Sequence, residues 1–238
     1  MKIRARGLAV CIGWVAVAAA SGLQDSEAPD PRLGTVLSQT STLRPEVLEM
    51  ALTAYDTASA EGLVERSRLT IIDYELASYE ERLWVIDMIS ARLLHEEWVS
   101  HGMGKPRGSG GDMEWALSFS NRKGSRKSSL GLFTTAETYN GKHGYSLRLD
   151  GREPGVNDAA RKRTIVIHSA SYVTVRRAED HTVGRSWGCP ALRPKVAKQL
   201  IDAIKGGSVL WIYYPEASWL ESSPFLNGSG VSEAPTPE

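Results

Sequence analysis

His168 and Cys189 are of the types, and in the setting, that nucleophilic acyl transfer needs. His168 follows the compact apolar run Thr164-Ile165-Val166-Ile167, which predicts a histidine leaving a core strand onto a loop, rigidly placed and open to a cleft. Eighteen residues further on begins the stretch Ser186-Trp187-Gly188-Cys189-Pro190. A nucleophilic cysteine requires a base or cation that favours thiolate, backbone donors for an oxyanion, and access. His168 can supply the first of these. Gly188 lets backbone come close to a substrate and frees the amides around Cys189 to point inward. A helix opening near Pro194, if its N-terminus faces the thiol, would lower a pKa that is about 8.5 in free cysteine. Taken singly, His168 reads as a hydrogen-bonded core histidine and Cys189 as a small buried hydrophobe. Their conjunction with the Gly-Cys-Pro turn reverses that order.

The cysteine count bears on the same choice. The chain has two, Cys11 and Cys189. Cys11 lies within a basic n-region (Lys2, Arg4, Arg6), an apolar stretch from Leu8 to Ala20, and the small residues Ala18-Ala19-Ala20. This is the secretory pattern, predicting a signal peptide over residues 1–20, cleavage near Ala20, and a periplasmic or otherwise extracytoplasmic protein. The stretch is shorter than the roughly 20 apolar residues of a spanning helix, so no stable membrane span is expected in the mature form. The mature chain then holds one thiol in an oxidising compartment. It cannot close an internal disulfide and must be either buried or used. Overall, 28 basic residues balance 28 acidic ones, and loss of the n-region leaves the mature chain slightly acidic. No electrostatic pull toward nucleic acid follows from that balance.

Elements that could position the pair follow from periodicity. Residues 21–44 are polar and punctuated, and predict a flexible lead. An N-terminal helical segment covers 45–66, with a helix from Pro45 to Ala60 carrying Leu48, Ala51, Leu52 and Tyr55 on one face. Strands are expected at Leu69–Tyr74, Arg82–Met88, Leu93–Val99, Ser146–Leu149, Thr164–Ile167 and Val209–Tyr214, the second and third forming a hairpin. Residues 102–131, rich in Gly, Ser, Lys and Arg, lack the spacing of a phosphate loop and read as turns. Pro194–Lys205 is a helix lined by Val196, Leu200, Ile201 and Ile204 and closed by Gly206-Gly207. A disordered tail is expected over 217–238. The sum is a mostly β domain with few helices, over 67–216.

His168, seventeen intervening residues and then Ser186-Trp187-Gly188-Cys189 resembles the signature of the L,D-transpeptidases: a histidine, fourteen to seventeen residues, then Ser/Thr-His-Gly-Cys. Phe119-Ser120-Asn121, Ser128 to Phe133, His143-Gly144-Tyr145-Ser146-Leu147, Ile167-His168-Ser169-Ala170 and Gly184 to Leu192 are similar to the murein L,D-transpeptidase catalytic-domain branch. The resemblance covers roughly Leu69 to Pro215. It implies a β-sandwich or barrel domain in which Cys189 is the nucleophile and His168 the base. It also implies that the Ser169 carbonyl orients the imidazole, and that amides around Gly188 and Cys189 form the oxyanion site. Peptidoglycan stem peptides are the implied partners, and no cofactor is implied. Trp187 departs from the pattern, standing where most of the family has a second histidine, and is expected to be a packing or stacking wall. Pro190 and Ala191 replace the usual Asn or Arg after the cysteine.

Ser186, Trp187, Arg185 and Tyr145 are the candidate substrate contacts. Arg122, Lys123, Arg126 and Lys127 could bind stem-peptide carboxylates or simply form a solvated loop. His95, His101, His143 and His181 lack paired ligand spacing, so no metal is expected. Transpeptidation leads. Hydrolysis of the same acyl-enzyme by water is the close alternative, and a catalytically silent wall-binding module is the alternative of another class.

Overall fold

The structure, a computed structural model, describes residues 30–183 and 186–228. The expected signal peptide, Arg185 and the last ten residues lie outside the described residues.

Eight strands form one sheet: β1 (Arg68–Asp73), β2 (Leu83–Asp87), β3 (Arg92–Glu97), β4 (Gly131–Gly141), β5 (Gly144–Gly151), β6 (Val166–Ser169), β7 (Ala191–Leu192) and β8 (Val209–Tyr213). Their order is β3-β2-β1-β8-β4-β5-β6-β7. The β1–β8 and β6–β7 pairs are parallel and the others antiparallel. The two ends of the sheet meet. Ser100, just past β3, bridges Ala191 in β7, and Arg193 donates to both carboxylate oxygens of Glu97. The sheet is therefore a nearly closed barrel, which removes most of its free edge.

Two helices cover the central strands. α2 (Pro45–Ala60, following α1 at Pro31–Leu37) packs on β1 and β8, burying Val47, Leu48, Ala51, Leu52 and Tyr55. α4 (Pro194–Ile204, after the short α3 at Val175–Glu179) buries Ala197, Leu200, Ile201 and Ile204 and contacts β1, β5 and β6. The apolar runs of β1 and β8 are buried residue after residue, as strands covered on both faces must be. The fold is mostly sheet, as read from the sequence.

Two boundaries differ from the expectation. Within the supposed flexible lead, Asp30 caps α1 by accepting from the Arg32 amide, and Val36 and Leu43 are buried. Within the supposed tail, α5 (Ala217–Ser222) and α6 (Pro224–Asn227) insert Trp219 and Phe225 into the core. The Trp219 indole donates to Glu153 Oε2 at 2.8 Å, and the other oxygen of that carboxylate accepts from the Leu132 amide at 2.7 Å. Composition marked both segments as polar. One or two large apolar residues in each were enough to dock them.

Candidate active site

His168 lies inside β6 rather than beyond it. The strand begins two residues later than the apolar run suggested, because Thr164 takes a left-handed conformation (φ 59°). His168 is paired with Ser146 of β5 on one side and Ala191 of β7 on the other, and its amide donates to Pro190 O at 3.4 Å. The ladder thus ties the histidine's backbone to the residue after Cys189. Its side chain is 4% exposed. Nδ1 is 2.8 Å from the Ser169 carbonyl oxygen, which can only accept, so Nδ1 carries the proton and Nε2 keeps its lone pair. Burial holds the imidazole's pKa below its usual value. The Ser169 carbonyl opposes that shift, and the charges of His143 and Lys142 add to it. The resting ring is neutral.

Cys189 is partly buried, and its thiol donates to Thr164 O at 3.7 Å. Burial pushes the thiol up, against the Val166 amide and the cations Arg163 and Lys142, which pull it down. Desolvation is the largest of these causes. Burial thus disfavours the charged form of both groups.

The turn before the cysteine is built from close backbone approaches. Ser186 is buried, its amide donates to His101 O at 2.8 Å, and its carbonyl accepts from Met103 N at 3.1 Å. Its hydroxyl accepts from the Gly188 amide at 3.1 Å. The Gly188 amide is thus engaged by a side chain of its own turn. Its glycine is required for shape. At φ 108°, an added Cβ would lie 2.6 Å from Lys127 O. Across the turn, a Cβ on Gly102 would lie 2.8 Å from the Gly188 Cα. The 102–131 segment contains the turns read from the sequence, at 104–108 and 123–124, and its Gly102, Arg126 and Lys127 cradle the cysteine turn. Beneath it, fully buried Arg82 donates to His101 Nδ1 at 2.9 Å, leaving Nε2 to donate to Asp112 O at 3.0 Å. Burial, with help from Arg82, drives His101 down to about 3, so it is a neutral brace.

Cys189, His168, Ser169, Ser186 and Trp187 line one cavity of about 1060 Å³. Trp187, 64% exposed, is stacked by the Arg126 guanidinium 3.7 Å from its ring centroid and forms a wall. Ser186 reaches the cavity with its hydroxyl already engaged. Tyr145 does not line it. Ser146 pairs with His168, so its neighbour Tyr145 points to the other face of the sheet, where its hydroxyl donates to Asp202 of α4 at 2.7 Å.

The cavity also holds Arg163 and Lys142, which the sequence did not mark, and His143, which entered only within one motif of the resemblance and among the scattered histidines. Arg163 donates to Lys127 O at 2.7 Å and to Ser120 O, Ser125 Oγ and Ser129 Oγ. Lys142 and His143 form the two-residue turn between β4 and β5. A basic residue just ahead of the histidine's strand, and a basic pair between two alternating segments, were the available signals. Arg126, Lys142 and Arg163 line the cavity with no Asp or Glu among the described lining residues, which present a surplus of positive charge. Among the described residues, no cluster of three or more His, Cys, Asp or Glu could hold a metal ion, and no helix is long and apolar enough to cross a membrane.

Residues 39–213 match the model of the L,D-transpeptidase catalytic domain. Similar solved structures include an L,D-transpeptidase from Mycobacterium smegmatis, 14% identical with a TM-score of 0.37, matching 62% of this chain and 59% of that one. L,D-transpeptidase 3 from Mycobacterium tuberculosis is 10% identical with a TM-score of 0.37, over 62% of this chain and 61% of that one. An Enterococcus faecium L,D-transpeptidase is 14% identical with a TM-score of 0.35, over 63% and 50%. The chain thus spans less than two thirds of the length of these proteins. No curated protein matches it.

Proposed function

The chain belongs to the family of L,D-transpeptidase catalytic domains, and on that premise we propose that it cross-links peptidoglycan stem peptides through an acyl-enzyme on Cys189. The observation that carries the reading is a cavity shared by Cys189 and a neutral His168 whose Nε2 lone pair is unspent. Sγ attacks the carbonyl carbon of an L–D peptide bond as its proton passes to Nε2. The imidazolium, steadied by Nδ1–H on the Ser169 carbonyl, then protonates the departing amine. A thioester remains. The amine of a second stem, giving its proton to the same imidazole, displaces the thiol and completes the cross-link. With the Gly188 amide engaged by Ser186, the Cys189 amide is the candidate oxyanion donor. The cationic wall of Arg126, Lys142 and Arg163 suits a donor that carries free carboxylates. Export by the N-terminal segment would bring the domain to this substrate.

The test is muropeptide composition of wall from cells expressing the wild type or Cys189→Ala, with intact-mass measurement after exposure to a penem. New cross-links and a single adduct should both depend on Cys189. Cross-links that persist in the variant would overturn the reading, and shortened stems without cross-links would leave a carboxypeptidase.

A further inference from the structure

The base is held at one edge by its contact with Ser169, and a single hydrogen bond does not fix the plane of a ring. A second contact does. The turn Lys142-His143 carries an exposed imidazole whose ring lies 4.3 Å, centroid to centroid, from that of His168, with 24° between their planes. An exposed ring is thus stacked on a buried one, at the wall of the cavity that holds the thiol. We propose that His143 is a positioning residue of this site, its imidazole covering one face of His168 so that the base is kept in plane and out of water. The inference rests on reading His168 as the base.

The charges around His168 make the cover matter. Lys142 and His143 face it from the hairpin turn, Arg163 lies just before its own strand, and Cys189, Trp187 and Arg126 stand across the cavity. Every fixed charge in that set is positive, so an imidazolium forms there only against repulsion. Burial is the largest cause of the ring's lowered pKa. Taking away the covering ring admits water to His168, so its protonation midpoint rises toward the ordinary value of about 6.5. The freed ring also swings away from the thiol.

The test pairs His143→Ala with His143→Phe. His143 is exposed, so neither change disturbs the core. Two quantities are read: the midpoint of His168 protonation, from its ring-proton NMR signal, and the pH profile of Cys189 acylation by a penem. His143→Ala should raise the midpoint by about half a unit or more and slow acylation about tenfold, a loss typical of a misplaced catalytic group. His143→Phe, which keeps a flat ring, should restore most of the rate and keep the midpoint below that of the Ala variant. A wild-type midpoint and rate in His143→Ala would overturn the proposal, as would a Phe variant that matches the Ala variant. Failure of the underlying reading shows separately, as unimpaired acylation by His168→Ala.

Discussion

At the residue scale the site is set by a contest between burial and charge. Burial raises the pKa of the Cys189 thiol and lowers that of His168, disfavouring the charged form of each, while Arg163 and Lys142 pull the thiol back toward ionisation. Acylation should therefore rise with pH as His168 loses its proton below about 6.5, and then level off near neutrality. An acylation rate that falls between about pH 6 and pH 8 would instead mean a resting thiolate–imidazolium pair. Arg163→Met should push the thiol further up and slow its alkylation by iodoacetamide about tenfold near neutral pH, one pKa unit being a tenfold change in thiolate. Arg163→Lys keeps the charge and should recover much of that rate. Equal alkylation of the Met variant and wild type would show that the charge does not reach the sulfur.

At the element scale, three segments distant in sequence are needed to hold the four residues before Pro190. The 102–131 segment approaches Gly188 so closely that a methyl group on either Gly102 or Gly188 would meet backbone at under 3.0 Å. Gly188→Ala combines that clash with an unfavourable φ, costing on the order of 1–3 kcal/mol. It should also displace the sulfur, so penem acylation should fall far more than the melting temperature. A variant that acylates normally would show that the turn has slack.

At the scale of the whole molecule, the core is filled in part by a segment that looks dispensable in the sequence. Trp219 packs against Trp211, with ring centroids 5.1 Å apart, and supplies one of the donors to buried Glu153. Trp219→Ala leaves a cavity and a carboxylate oxygen without that donor, and should cost about 3–5 kcal/mol in urea unfolding. Trp219→Phe should recover the packing but not the hydrogen bond. A loss under about 1 kcal/mol in the Ala variant would mean that α5 is only loosely docked.

How far the sequence alone reached depended on whether the cause of each feature was local. The helix at Pro45–Ala60 was legible to the residue, since proline opens it and its apolar face repeats at helical spacing. The hairpin of β2 and β3, the late helix and the strand at Val209 were legible to within one or two residues at their ends. The family was legible because its motifs are short and local, His168-Ser169 and Ser186-Trp187-Gly188-Cys189 among them. β4 was not. It lies between β8 and β5 and its buried Gly131-Leu132-Phe133-Thr134-Thr135 shows no alternation to mark it. Nor was the role of residues 102–131, because loops rich in glycine look alike until another backbone is pressed against them. The orientation of Tyr145 away from the cavity, the cover of His143 and the grip of Arg163 were decided only by tertiary structure. Each depends on which strand becomes whose neighbour, and burial, which sets the charge state of both central residues, has no value until the chain has closed around them.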